Sequence, residues 1–121
     1  MLGTIPILRI GPILLATVHI DLKDAVAEAF HADILNAIQK QTSIGVVIDI
    51  TGLDTVDSYV ARILADISKT AALMGATAVL VGMRPEVAAT LIRMGYAMEA
   101  MKTALNLEEG IALLGYRLER R

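Results

Sequence analysis

The sequence predicts an α/β domain. Its sheet is mixed and mostly parallel, with about five strands, an antiparallel hairpin at the amino terminus and covering helices. Three observations lead there. Apolar, β-branched runs without a polar alternate face occur at 46–50 and 78–81, as strands covered on both sides require. Stretches whose apolar residues recur at helical spacing stand between such runs. Gly11-Pro12 leaves so little chain between two early apolar runs that they can pair only as a hairpin, because a parallel pair needs a long crossover.

Residues 5–10 read as the first strand, with Pro6 tolerated near its start or on an edge, and 13–18 as the second. A helix is expected near 23–41, capped by Asp21 or Asp24. Its buried stripe is Val26, Phe30, Ile34, Ala37 and Ile38, and Glu28, His31, Asn36, Gln39 and Lys40 face water. The central strand is Val46–Val47–Ile48–Asp49–Ile50, followed by the turn residues Thr51-Gly52-Leu53-Asp54. Past Asp57-Ser58 the period becomes helical, with Val60, Ile63, Leu64, Ile67 and Ala71 on one stripe. Arg62, Asp66 and Lys69 lie opposite, spaced for weak Arg62/Asp66 and Asp66/Lys69 pairing. Gly75 ends this helix, and 78–82 is the next strand. Pro85 and Glu86 suit the first turn of a third helix, with Val87, Leu91 and Ile92 inward and Gly95 at its end. A short strand at 101–104 and a helix at 107–114 capped by Asn106 complete the order β-β-α-β-α-β-α-β-α.

Composition narrows the function classes. The 121 residues suit one domain, and no linker, repeat or low-complexity segment divides them. The hydrophobic fraction is 55%, and mean hydropathy is +0.61. No segment reaches the roughly 18 uninterrupted apolar residues of a membrane span, so the excess points to a parallel-type α/β core plus some apolar surface covered by another subunit. The amino terminus does not read as a signal peptide, and a cytoplasmic location is expected. Net charge is −2, without a basic block or stacking aromatics, which argues against nucleic-acid binding. Cysteine is absent and the two histidines are isolated, so neither a metal site nor a cofactor is expected.

In a parallel sheet, working residues gather at the carboxyl ends of strands. The loops 51–58 and 83–85 both leave such ends and should open on one edge. Ser58 has two compatible readings there. It can cap the helix, accepting a backbone N–H bond. It can also be a phosphorylation site, since a helix amino terminus offers unpaired N–H donors and a positive dipole end to a phosphate. Asp54 and Asp57 would repel the added charge, so a partner docked on the loop would be displaced without refolding. Asp49 is read as a structural carboxylate bonded to loop amides. Receiver domains use such an Asp as a phospho-acceptor, but the acidic pair they need after the first strand is replaced here by Arg9-Ile10-Gly11-Pro12, and Lys102 alone is weak support. A small serine hydrolase would need His19 or His31 within reach of Ser58, and no G-x-S-x-G elbow surrounds that serine.

The element order, with Asp-Ser at the start of the second helix, resembles a STAS domain, the fold of anti-sigma-factor antagonists. VVIDITGLDTVDSYVARILADI at 46–67, GMRPEVAATLIRMG at 82–95 and IPIL at 5–8 resemble the STAS proteins of the bacterial stressosome. With the first strand at residue 5 and a serine at the acceptor position, the chain is similar to the small scaffold-type subunit and is expected to be one STAS domain over 1–121, without a sensor region. The resemblance implies a non-catalytic phosphoprotein, phosphorylated at Ser58, that sequesters a serine/threonine switch kinase (RsbT-type) until stress. It further implies a homodimer, a large hetero-oligomer with a sensor-bearing paralogue (RsbR-type), and a resetting phosphatase. The partner surface is expected at Asp54, Thr55, Asp57, Tyr59 and Arg84, with Thr51 or Thr55 as open candidates for a second acceptor. A free anti-sigma-factor antagonist that binds a kinase-type anti-sigma factor is the alternative.

Overall fold

The computed structural model describes residues 5–18, 22, 24–40, 42–95 and 101–116. Its elements run β1 (Ile7–Ile10), β2 (Ile13–Thr17), α1 (Asp24–Lys40), β3 (Gly45–Asp49), α2 (Ser58–Leu73), β4 (Thr77–Val81), α3 (Pro85–Arg93), β5 (Lys102–Ala104) and α4 (Leu107–Leu113). The predicted order holds. The candidate cap Asp21 and the histidine His19 lie outside the described residues.

The strands form one sheet in the order β1-β2-β3-β4-β5. β1 and β2 pair antiparallel, with Leu8 opposite Leu15 and Ile10 opposite Ile13, and every later pairing is parallel. Because strands are added in one direction, crossovers of one hand place their helices on one face. That face holds the main core, where Leu14, Ala16, Val46, Ile48, Ala78 and Leu80 meet Phe30 and Ile34 of α1, Leu64 and Ile67 of α2, and Val87 and Leu91 of α3. Arg9 reaches the same side from the edge strand and donates to Ser43 Oγ at 3.0 Å and to the Ala37 carbonyl at 3.3 Å.

The opposite face belongs to α4, which packs Ile111 on Val47, Val79 and Val81. Gly110 lets this helix lie close, since a Cβ there would stand 2.7 Å from Val81 Cγ1. Next to α4, Leu8 and Ile10 of the hairpin are exposed. Their strand partners Leu15 and Ile13 belong to the α4-side cluster, so this is the same face of the sheet.

Three sequence expectations change. Ile92 was expected inward but is 69% exposed, because α3 buries only the narrow Val87/Leu91 stripe one turn apart. His31 was placed on a solvent face but is half-buried at the α1–α2 seam, with Nε2 3.0 Å from Thr70 Oγ1. Thr70 gives its single proton to the Asp66 carbonyl at 2.8 Å, so His31 Nε2 is the donor of that pair. In α1, Ala27 is fully buried, whereas Val26 and Ala37 are only partly so. The Arg62–Asp66 pair forms at 3.7 Å across exposed side chains, where such contacts contribute little.

Candidate functional site at the start of α2

β3 carries the chain to the sheet edge, and the connection to α2 is pinned there at several points. The Ile50 N–H bonds the Val81 carbonyl at 2.9 Å, and the Leu53 N–H turns back to the Ile50 carbonyl at 2.9 Å. Leu53 and Val56 sink into the core, while Asp54, Thr55, Asp57 and Ser58 stay exposed. Asp49 is structural, as its position suggested: its Oδ1 accepts from the Thr51 N–H at 2.9 Å and from the Thr51 hydroxyl at 2.6 Å.

The helix cap falls on Asp57, and this corrects the reading of Ser58 as the capping residue. Asp57 has extended backbone (φ −88, ψ 178), and its carboxylate accepts from the Val60 N–H at 2.8 Å. Such a cap is worth about 1 kcal/mol. Ser58 is therefore the first helical residue, exposed, and its hydroxyl has no hydrogen-bond partner among the described residues. It stands beside first-turn N–H groups that lack intrahelical acceptors, at the positive end of the helix dipole.

Tyr59 turns toward α1. Its hydroxyl donates to Glu28 Oε2 at 2.8 Å, and this bond, followed by partial burial and the negative charge of Glu28 and Asp24, pushes the phenol above its ordinary pKa. Arg84, the residue before α3, donates from Nε to the Thr51 carbonyl at 2.9 Å. The two loops expected on one edge are thus joined by a hydrogen bond. An open cleft of about 760 Å³ lies on the other flank, lined by Leu22, Leu53, Val56 and Val60 with Asp24, Thr55 and Asp57 at its polar positions.

The residue pattern and the fold meet in one comparison. The model of the STAS domain family matches residues 4–110. The chain belongs to the STAS family.

Individual STAS relatives place it more narrowly. A structure of Moorella thermoacetica RsbS S58E superposes with TM-score 0.83 at 38% identity, covering 92% of this chain and 94% of that one. A chain from the stressosome, described as a signal integration and transduction hub, gives TM-score 0.80 at 39% identity, with 91% and 96% covered. The RsbT co-antagonist protein RsbRA of Bacillus subtilis is 36% identical over 85 residues, which are 70% of this chain and 31% of that protein. The chain therefore spans less than a third of RsbRA but nearly all of the RsbS structure.

Within this STAS domain, the residues of the 51–58 loop named from the sequence gather at one edge, with Arg84 tied in from the neighbouring loop. His31 does not join them: its partner Thr70 lies about 18 Å along the α2 axis from Ser58 at 1.5 Å per residue. Among the described residues no group of three His, Asp or Glu is placed to hold a metal, and no helix is long and apolar enough to cross a membrane. Sequence reasoning missed Glu28 as the partner of Tyr59 and Thr51 as the point where Asp49 and Arg84 converge. The Asp49-x-Thr51 spacing carried a signal for the second, since Asp side chains commonly bond the backbone two residues on.

Proposed function

We propose that this chain is a non-catalytic, cytoplasmic scaffold subunit of a stressosome-type assembly. In this reading it forms one STAS domain over 1–121, sequesters an RsbT-type switch kinase, and is regulated by phosphorylation at Ser58. The observation that carries the proposal is the Ser58 hydroxyl, exposed and without a hydrogen-bond partner among the described residues, at the first position of α2 where Asp57 performs the capping. A phosphate there adds about −1.5 to −2 charges without displacing any hydrogen bond among the described residues. The kinase surface is formed by Asp54, Thr55, Asp57, Tyr59 and Arg84 around that hydroxyl, so the added charge and bulk expel the kinase and a phosphatase restores the surface.

Two features of relatives support the reading. The Moorella RsbS protein bears a serine-to-glutamate substitution, which puts negative charge in place of a hydroxyl, and it aligns over almost the full length of this chain. RsbRA is an RsbT co-antagonist, which makes an RsbT-type kinase the partner to test. The exposed Leu8 and Ile10 on the sheet face beside α4 offer apolar surface for subunit contacts, both in a homodimer and with an RsbR-type paralogue.

Assembly is tested by sedimentation of the chain co-expressed with its sensor-bearing paralogue. Co-migration in a megadalton particle is expected. Sedimentation of the two proteins as separate small species would instead indicate a free anti-sigma-factor antagonist.

A further inference from the structure

We propose that Thr51 is the positioning residue of the acceptor loop, locking residues 52–57 to the neighbouring strand end through Asp49, Gly82 and Arg84. All three polar groups of Thr51 are engaged. Its N–H and its hydroxyl both donate to Asp49 Oδ1, at 2.9 and 2.6 Å, and its carbonyl accepts from Arg84 Nε at 2.9 Å. Bonds to an ionised carboxylate or from a guanidinium are the strong kind, and here they converge on one residue.

The seat of this side chain depends on Gly82. A Cβ at position 82 would stand 1.9 Å from Thr51 Oγ1, and Gly82 has φ +74, a conformation that side chains disfavour. Gly82 follows β4 directly, and Arg84 precedes α3. The clasp therefore joins the end of β3 to the end of β4 at the point where the chain departs toward Ser58. Downstream the loop is held by the inserted Leu53 and Val56, the Leu53 N–H bond to the Ile50 carbonyl and the Asp57 cap. Thr51 itself is exposed, so its hydroxyl can be removed with little loss of buried apolar surface. Loop order is then separable from global stability. Orientation of an acceptor group governs the rate at which an enzyme can use it, so the clasp sets how readily Ser58 is phosphorylated. That last step rests on the proposed role of Ser58.

The test compares Thr51→Val, which keeps the branched shape and loses the hydroxyl, with Thr51→Ser, which keeps the hydroxyl. Amide exchange is read by NMR and Ser58 phosphorylation by incubation with the RsbT-type kinase and ATP. In Thr51→Val the Thr51-position and Leu53 amides should exchange at least about tenfold faster, the effect of losing a hydrogen bond to a charged group. Core amides at Val47 and Leu80 should be unchanged, and phosphorylation should slow several-fold. Thr51→Ser should restore both readouts. Gly82→Ala, which drives a methyl group onto the same hydroxyl, should reproduce the loosening. Wild-type exchange at Leu53 in Thr51→Val overturns the clasp, and faster exchange with an unchanged phosphorylation rate overturns its positioning role. If the wild-type chain accepts no phosphate, the reading of Ser58 fails, and the exchange comparison alone decides whether Thr51 orders the loop.

Discussion

Ser58→Asp is expected to release the switch kinase, and Ser58→Ala to hold it even under stress. The aspartate adds charge beside Asp54 and Asp57, in the middle of the proposed contact surface. An anion buried in a contact without a partner loses its hydration at a cost of several kcal/mol, so kinase affinity should fall at least about tenfold. The fold should not respond, since Ser58 is exposed, makes no bond among the described residues, and sits where the helix dipole favours an anion. Thermal midpoints of both variants should therefore match the wild type, and titration of the kinase against each gives the affinity. Equal kinase capture by the two variants would count against the proposal.

Phe30→Ala is expected to have the largest effect on stability. Phe30 is the only phenylalanine in the chain, 1% exposed, and belongs to the cluster where α1 meets the sheet and α2. Truncating a buried phenylalanine costs about 3–5 kcal/mol, a large share of the roughly 5–15 kcal/mol that holds a domain of this kind together. Ile92→Ala, by contrast, should lie within about 0.5 kcal/mol of the wild type, since that side chain stands in solvent. The urea midpoints of the two variants measure both.

Both expectations mark the boundary of what the sequence can say. The run Val46 to Ile50 announced a strand buried on both sides, and the Gly11-Pro12 turn announced the hairpin, because each depends only on local chain properties. Ile92 was misjudged because it is adjacent to Leu91 on α3. Which edge of an apolar stripe a neighbour covers is set by tertiary packing and not by period. His31 was misjudged for the same reason, as its partner Thr70 is 39 residues away. The Asp57-Ser58 pair was ambiguous by one position, since both residue types cap helices and only backbone geometry selects between them. The edge on which the 51–58 loop opens was legible from strand order. The clasp at Thr51 was not, because Gly82 and Arg84 reach it only through the fold.

The central claim is that the hydroxyl at the start of α2 is the group on which the partner kinase acts. Incubation of the chain with the RsbT-type kinase and ATP, followed by mass-spectrometric mapping of the modified residue, tests it most directly. One phosphate is expected, on Ser58, and it should vanish in Ser58→Ala. An unmodified chain, or a phosphate that persists in Ser58→Ala on Thr51 or Thr55, would contradict the account.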